Sequence, residues 1–218
     1  MRLRGLLFTV VAAVLHCSCS SNQDPEGAVE GRKQTLDRIR REGVVRIGYA
    51  NEAPYAYLDQ LSGCVTGEAP EIARVVLKRM GVEKVEGVLT EFGSLIPGLK
   101  ARRFDIIAAG MYITPARCAQ ILFSNPTYSV GEAFMVLAGN PLSLHGYEDI
   151  AGNPEARLGV VAGTVEREYA KKCGIPDDRI LIFPDPMSAL AGLRAGRIEA
   201  YGGTSLTIND LMSKTTSS

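Results

Sequence analysis

One tract of this chain is written twice. Ser94-Leu95-Ile96-Pro97-Gly98-Leu99-Lys100-Ala101 runs on to Arg103-Phe104-Asp105, and Ser188-Ala189-Leu190-Ala191-Gly192-Leu193-Arg194-Ala195 runs on to Arg197-Ile198-Glu199. Each copy reads as an amphipathic helix that feeds a short strand through a basic residue. Such a unit cannot bury its apolar face alone, and its repetition predicts two α/β lobes built alike. At 218 residues the chain is long enough for two small domains.

Strand and helix signals alternate around both copies. Val44 to Gly48 reads as a first strand, Asp59 to Gly67 as a hairpin-type excursion, and Pro70 to Met80 as a helix. In that helix Ile72, Val75, Val76 and Met80 make one apolar face, and Gly81 closes the end. Val85 to Leu89 follows as a strand, and Ala133 to Leu137 is another after the turn at Asn125-Pro126. Gly139-Asn140-Pro141 marks a break. The second cycle then runs through Arg157 to Ala162 (strand), Val165 to Lys172 (helix), Ile180 to Phe183 (strand), a helix started by Asp185-Pro186, and Arg197 to Tyr201 (strand).

The first copy of the repeat leads into the most chemically loaded corner. Ser94 has the character of an N-cap, and Phe104 to Ala109 reads as a strand covered on both faces. Gly110 breaks it, and Thr114-Pro115 reads as N-cap plus first helical residue. Arg117 then places a cation in the first helical turn, against the macrodipole, which suits a residue that meets an anion. Tyr112, Met111 and Phe92 stand close by in sequence. Singly these residues read as surface or core. Together, at the carboxyl end of a parallel strand, they predict a ligand site.

Bulk properties narrow the classes. Lys+Arg and Asp+Glu both number 24, so the net charge is zero. There is no basic face of the density that nucleic acid requires, so no nucleic-acid partner is expected. Beyond the first 20 residues the cysteines are Cys64, Cys118 and Cys173, an odd number without C-x-x-C spacing. At least one is therefore unpaired in a monomer, the expected state, and no metal site is indicated. No P-loop, HExxH or G-x-S-x-G pattern is present. At the start, Arg2 and Arg4 precede an apolar run from Leu6 to Leu15, too short to span a bilayer comfortably. His16, Cys17, Ser18, Cys19 and serines follow. The segment predicts export to the periplasm or cell envelope. Acylation at Cys17 or Cys19 and ordinary cleavage in the Ser-rich tract both remain open, since His16 fits a lipoprotein signal poorly.

From Val44 to Asp210 the chain resembles the periplasmic solute-binding proteins of ABC importers, in the amino-acid-type branch (family 3). Within that branch it is most similar to the ectoine/hydroxyectoine-binding proteins. The tracts that carry the resemblance are Gly48 to Tyr55, Thr66 to Glu71, Thr90 to Leu99, Ala109 to Arg117 and Gly159 to Glu166. The resemblance implies a two-lobed periplasmic-binding-protein-like fold that closes like a hinge on one small zwitterion and docks on a membrane permease. It implies a binder, with no cofactor. Arg117 matches the arginine that pairs with a ligand carboxylate, a partner suited to its fork. Tyr55, Phe92 and Tyr112 match an aromatic box for a delocalised cation. Glu52 matches the acid that meets an amidinium. Gly163 and Thr164 open a helix whose N–H groups reach the carboxylate. Gly110, Thr114, Glu166 and Thr204 complete the expected set.

Two departures from the family pattern matter. Amino-acid binders commonly place an aspartate after the strand near Ala200, where this chain has Tyr201-Gly202-Gly203-Thr204. A delocalised cation in an aromatic box needs that acid less than an α-ammonium does, and Glu166 is the other candidate acid. Family members also continue past this point, so 204–218 is expected to be a truncated return segment. The expected organisation is a signal at 1–19, tether and lead-in helix at 20–42, a first lobe at 43–135 and a second at 136–203. A polar amino acid is the alternative ligand. Exported dehydratases on this fold are the alternative class, for which Glu52 and Glu166 would have to serve as acid and base, His145 lying in a polar loop. Metabolic labelling with a radioactive fatty acid tests the anchor: label on the mature protein is expected, and an unlabelled N-terminus at a serine would leave export alone standing.

Overall fold

The computed structural model describes the backbone of residues 25–216 and the side chains of 34–215. The signal segment, the start of the tether, Cys17 and Cys19 lie outside the described residues. The first element is helix α1 (Pro25–Glu42), followed by β1 (Val44–Tyr49), the antiparallel hairpin β2 (Tyr57–Leu58) and β3 (Val65–Thr66), and α2 (Glu68–Arg79). Then come β4 (Lys84–Leu89), a single 3₁₀ turn at Phe92–Ser94, α3 (Leu95–Lys100), β5 (Ile106–Ile107) and α4 (Pro115–Cys118). The rest is β6 (Glu132–Val136), α5 (Tyr147–Gly152), β7 (Leu158–Val161), α6 (Glu166–Lys172), β8 (Ile180–Phe183), α7 (Pro186–Arg194), β9 (Ala200–Thr204) and α8 (Ser205–Thr216).

Two sheets result. The first has strand order β4-β1-β5, all parallel. The second has order β6-β9-β7-β8, parallel except for β6, which runs antiparallel to β9. The chain is thus an α/β protein with two lobes, as the repeat predicted.

The repeat has a physical counterpart. Phe104 is buried beneath Gly48 and Gly98, where an added Cβ would come within 2.4 and 2.7 Å of its ring. In the second lobe Ile198 fills the same place under Gly159, with Phe183 against Gly192. The acids correspond as well. Asp105 accepts from the Arg46 amide (2.9 Å) and pairs with Arg46 and Arg38, while Glu199 accepts from the Arg157 amide (2.8 Å) and pairs with Arg157. In each lobe one acid therefore ties two neighbouring parallel strands, β1 to β5 and β7 to β9.

Several expectations need correction. The helix begins at Pro25, so most of the expected tether is helical. Ser94 makes no capping hydrogen bond, because the 3₁₀ turn before it already supplies the helix start. The face of α2 that carries Ile72, Val75, Val76 and Met80 is 39–54% exposed; the stripe that meets the core is Leu77 with the half-buried Ala69 and Ala73. Ile72, Val76 and Met80 line an open apolar groove with Leu99, Ile113 and Leu122. Strand β6, placed at the end of the first lobe by its position in the chain, pairs in the second sheet. The expected return segment is α8, which packs on β6 and β9 and buries Ile208 and Leu211. Cys64 and Cys173 are free. Gly48→Ala should lower stability by about 1–3 kcal/mol through overpacking against Phe104, read as a lower Tm; an unchanged Tm would show that the ring has room to move.

Candidate ligand-binding site

The cleft between the sheets is lined by Glu52, Tyr55, Phe92, Ala109, Gly110, Tyr112, Arg117, Thr164, Val165, Glu166 and Thr204. Nine of the eleven residues expected from the sequence therefore share one cavity. Thr114 and Gly163 do not line it but hold Arg117. The Thr114 hydroxyl accepts from the Arg117 amide (3.3 Å), the capping bond that sets up the single turn of α4. The Gly163 carbonyl accepts from Arg117 Nη2 (2.9 Å), and the Tyr112 carbonyl accepts from Nη1 (2.8 Å). The guanidinium also lies over the Phe92 ring, 5.6 Å from its centroid. Arg117 is buried, 9% exposed, and desolvation pulls its pKa down against the opposing field of Glu166.

Gly163 can present its carbonyl because it adopts φ +79° and carries no side chain against Gly93. A Cβ on Gly163 would lie 2.5 Å from Gly93 Cα. The two lobes thus touch backbone to backbone beside Arg117. The expected role of the Thr164 amide fails, since that N–H donates back to Val161 O (3.3 Å), as does its hydroxyl (2.8 Å). The cause is local: the chain makes a turn here, and α6 starts only at Glu166.

A second lobe-to-lobe link is a chain of hydroxyls. Tyr55 donates to Thr204 Oγ1 (2.7 Å), Thr204 to Thr207 Oγ1 (3.0 Å), and Thr207 to Glu52 Oε1 (2.6 Å). Tyr55 is also stacked on Tyr128, with ring centroids 6.0 Å apart. Burial pushes the Tyr55 hydroxyl up to about 12. Glu52 is pushed up to about 7, mainly by desolvation, with the Thr207 bond opposing and the Glu166 charge adding.

With these links in place the cavity holds about 30 Å³, room for one or two waters. A larger guest requires the lobes to separate. Sequence reading missed Ala109, Val165, Thr207 and Tyr128. The T-x-x-T spacing of Thr204 and Thr207 and the Tyr after Asn125-Pro126-Thr127 were the only local signals.

Two α/β lobes meeting over a polar, arginine-centred cavity make a two-lobed periplasmic-binding-protein-like fold. Residues 45–215 match the bacterial extracellular solute-binding proteins, family 3, and the chain belongs to that family. It is 38% identical over 182 residues to a probable amino-acid ABC transporter periplasmic-binding protein, y4tE, of Sinorhizobium fredii; that match covers 83% of this chain and 60% of the relative. It is 29% identical over 190 residues to the L-arginine-binding protein of Pseudomonas aeruginosa, covering 87% of this chain and 71% of the relative. Among solved structures it is similar to EhuB in complex with hydroxyectoine, at 43% identity and a TM-score of 0.79, covering 83% of this chain and 70% of the other. The chain thus spans less than two thirds of the length of y4tE.

The raised carboxyl of Glu52 has a consequence for stability. Below about pH 4.5 folded and unfolded chains both hold this proton; between about 4.5 and 7 only the folded chain does. The favourable contribution is therefore lost as pH rises through 7. Glu52→Gln should melt above the parent at pH 8, and the gap should close by pH 5. Scanning calorimetry at both values decides it, a gap that widens at pH 5 counting against the assignment.

Proposed function

We propose that this chain is the extracytoplasmic solute-binding component of an ABC transporter and takes a small zwitterionic compatible solute, ectoine or hydroxyectoine, between its lobes for delivery to a membrane permease. The observation that carries the reading is the convergence of Arg117, Glu52 and three aromatic rings (Tyr55, Phe92, Tyr112) on one cavity. Arg117 is the partner for a carboxylate, reached when the lobes part and its bond to Gly163 O is released. The ring faces and Glu52 take the delocalised cation. The similarity to EhuB supports this ligand class.

A second reading, a polar or cationic amino acid, is favoured by the buried Glu166 beside Arg117 and by the arginine-binding relative. An enzyme is the least supported class. A carboxyl raised to about 7 could act as general acid, but Glu52 Oε1 is already held by Thr207 as a fixed acceptor. Calorimetric titration with ectoine, hydroxyectoine and L-arginine separates the ligands. Arg117→Ala should weaken binding of the true ligand by about 2 kcal/mol or more, because it leaves a buried carboxylate unpaired. Affinity unchanged in this variant would end the carboxylate assignment.

A further inference from the structure

At one corner of the cleft, hydroxyl and carboxyl groups tie the two lobes to each other. On the first-lobe side, Glu52 and Tyr55 sit on a single closed loop. The Glu52 amide donates to Ala56 O (2.8 Å) and the Ala56 amide to Glu52 O (3.0 Å). The loop is fixed to the start of α2, where the Glu68 and Ala69 amides donate to Pro54 O and Tyr55 O (3.0 Å each). On the second-lobe side, Thr204 ends β9 and Thr207 lies in the first turn of α8. The β6–β9 pairing and the Ser205 amide, which donates to Gly131 O (2.8 Å), hold that corner in place.

The path from Tyr55 through Thr204 and Thr207 to Glu52 therefore leaves the loop, crosses to the second lobe and returns to the same loop. Each hydroxyl has one proton to give, and each gives it along this path. Another bond crosses beside it. The Tyr112 hydroxyl, from the first lobe, lies 3.1 Å from Glu132 Oε1 on β6, the residue opposite Thr204 in the β6–β9 register.

We propose that this ring of bonds is a clasp that shuts the two lobes on each other without a guest, with Thr207 as its central member, so that self-closure competes with the binding of a solute. The proposal goes beyond the ligand reading above and does not depend on which solute the cleft takes.

Three observations support it. The first is the anchoring. Both ends of the path belong to the first lobe and its middle to the second, so parting at this corner breaks the Tyr55–Thr204 and Thr207–Glu52 bonds together. The second is the degree of closure. The cavity holds about 30 Å³, too little for an organic solute, and the Gly163 carbonyl already takes one prong of the Arg117 fork. The third is how Thr207 is used. It is 1% exposed and does not line the cavity. Its hydroxyl accepts from Thr204 and donates to Glu52, and its amide donates to Thr204 Oγ1 (3.3 Å). Packing alone would be served as well by valine, which has the same shape and no hydroxyl to satisfy.

The clasp is linked to pH through Glu52. The groups that face its carboxyl are Thr207 on α8, Glu166 at the start of α6, Tyr201 on β9, and the rings of Tyr55 and Tyr128. Desolvation pushes the carboxyl up to about 7, with the Thr207 bond opposing and the Glu166 charge adding. Parting the lobes returns it to water and toward its ordinary value of 4.5. The shut form thus holds the proton more tightly, and this contribution to closure is lost as pH rises through 7.

Small-angle X-ray scattering of the purified chain, with no solute added, tests the clasp. At pH 6 the parent should show the smaller radius of gyration of shut lobes, and Thr207→Val a larger one. The parent should expand between pH 6 and pH 8, while Glu52→Gln stays compact at both. If Thr207→Val does not fold, Tyr55→Phe, which removes one hydroxyl of the same path, carries the comparison. In calorimetric titrations at pH 6 with ectoine and with L-arginine, a probe that binds the parent should bind Thr207→Val about fivefold more tightly, the factor for a shut population freed of one net hydrogen bond. Equal radii for the parent and Thr207→Val at pH 6 overturn the clasp even where a probe binds. A larger radius in Thr207→Val with neither probe bound upholds the clasp and overturns both ligand readings.

Discussion

A buried guanidinium sets the terms for the rest of this molecule. Arg117 carries a charge that burial disfavours, and the structure answers with carbonyls, an aromatic face and the field of Glu166 rather than with a paired carboxylate. Each answer makes a local demand. Thr114 must cap α4 so that a four-residue helix holds its direction. Residue 163 must be glycine, because its φ is +79° and a Cβ there would lie 2.5 Å from Gly93 Cα, where the two backbones touch. Leaving out an internal counter-ion costs stability, and on the proposed reading it reserves the guanidinium fork for a carboxylate from outside.

The acids pose the opposite problem. A chain of zero net charge gives no hint that Glu52, Glu132 and Glu166 crowd one region. Burial and mutual repulsion raise two of them toward neutrality. Hydroxyls then settle what charge remains: Thr207 donates to Glu52 and Tyr112 to Glu132.

Much of this was legible before any coordinates. The doubled tract corresponded to the doubled lobe because helix, basic turn, apolar residue and acid each do a local job that sequence spacing records. Asp185 and Thr114 were readable as caps for the same reason, and both accept the amide three residues on. What was not legible depends on distant pairing. Nothing local says that β6 joins β9, so the lobe boundary and the place of Glu132 were out of reach. The apolar stripe of α2 was real, but periodicity reports that a face is apolar, not which of two adjacent stripes meets the sheet. Tyr147 and Tyr169 lie on helices of the second lobe and come together only by the packing of α5 on α6.

The hydroxyl chain from Tyr55 to Glu52 and the Arg117–Gly163 bond occupy the groups that a guest would contact. Entry is therefore an exchange, in which bonds within the protein are traded for bonds to the guest. An exchange of this kind sets a clock. The lobes must part first, so at high solute concentration the rate of capture levels off at the rate of parting instead of climbing with concentration. Re-formation of the same bonds around the guest then governs how long it is kept. On the proposed transport reading, residence time becomes a property of the protein's own latch as much as of the solute.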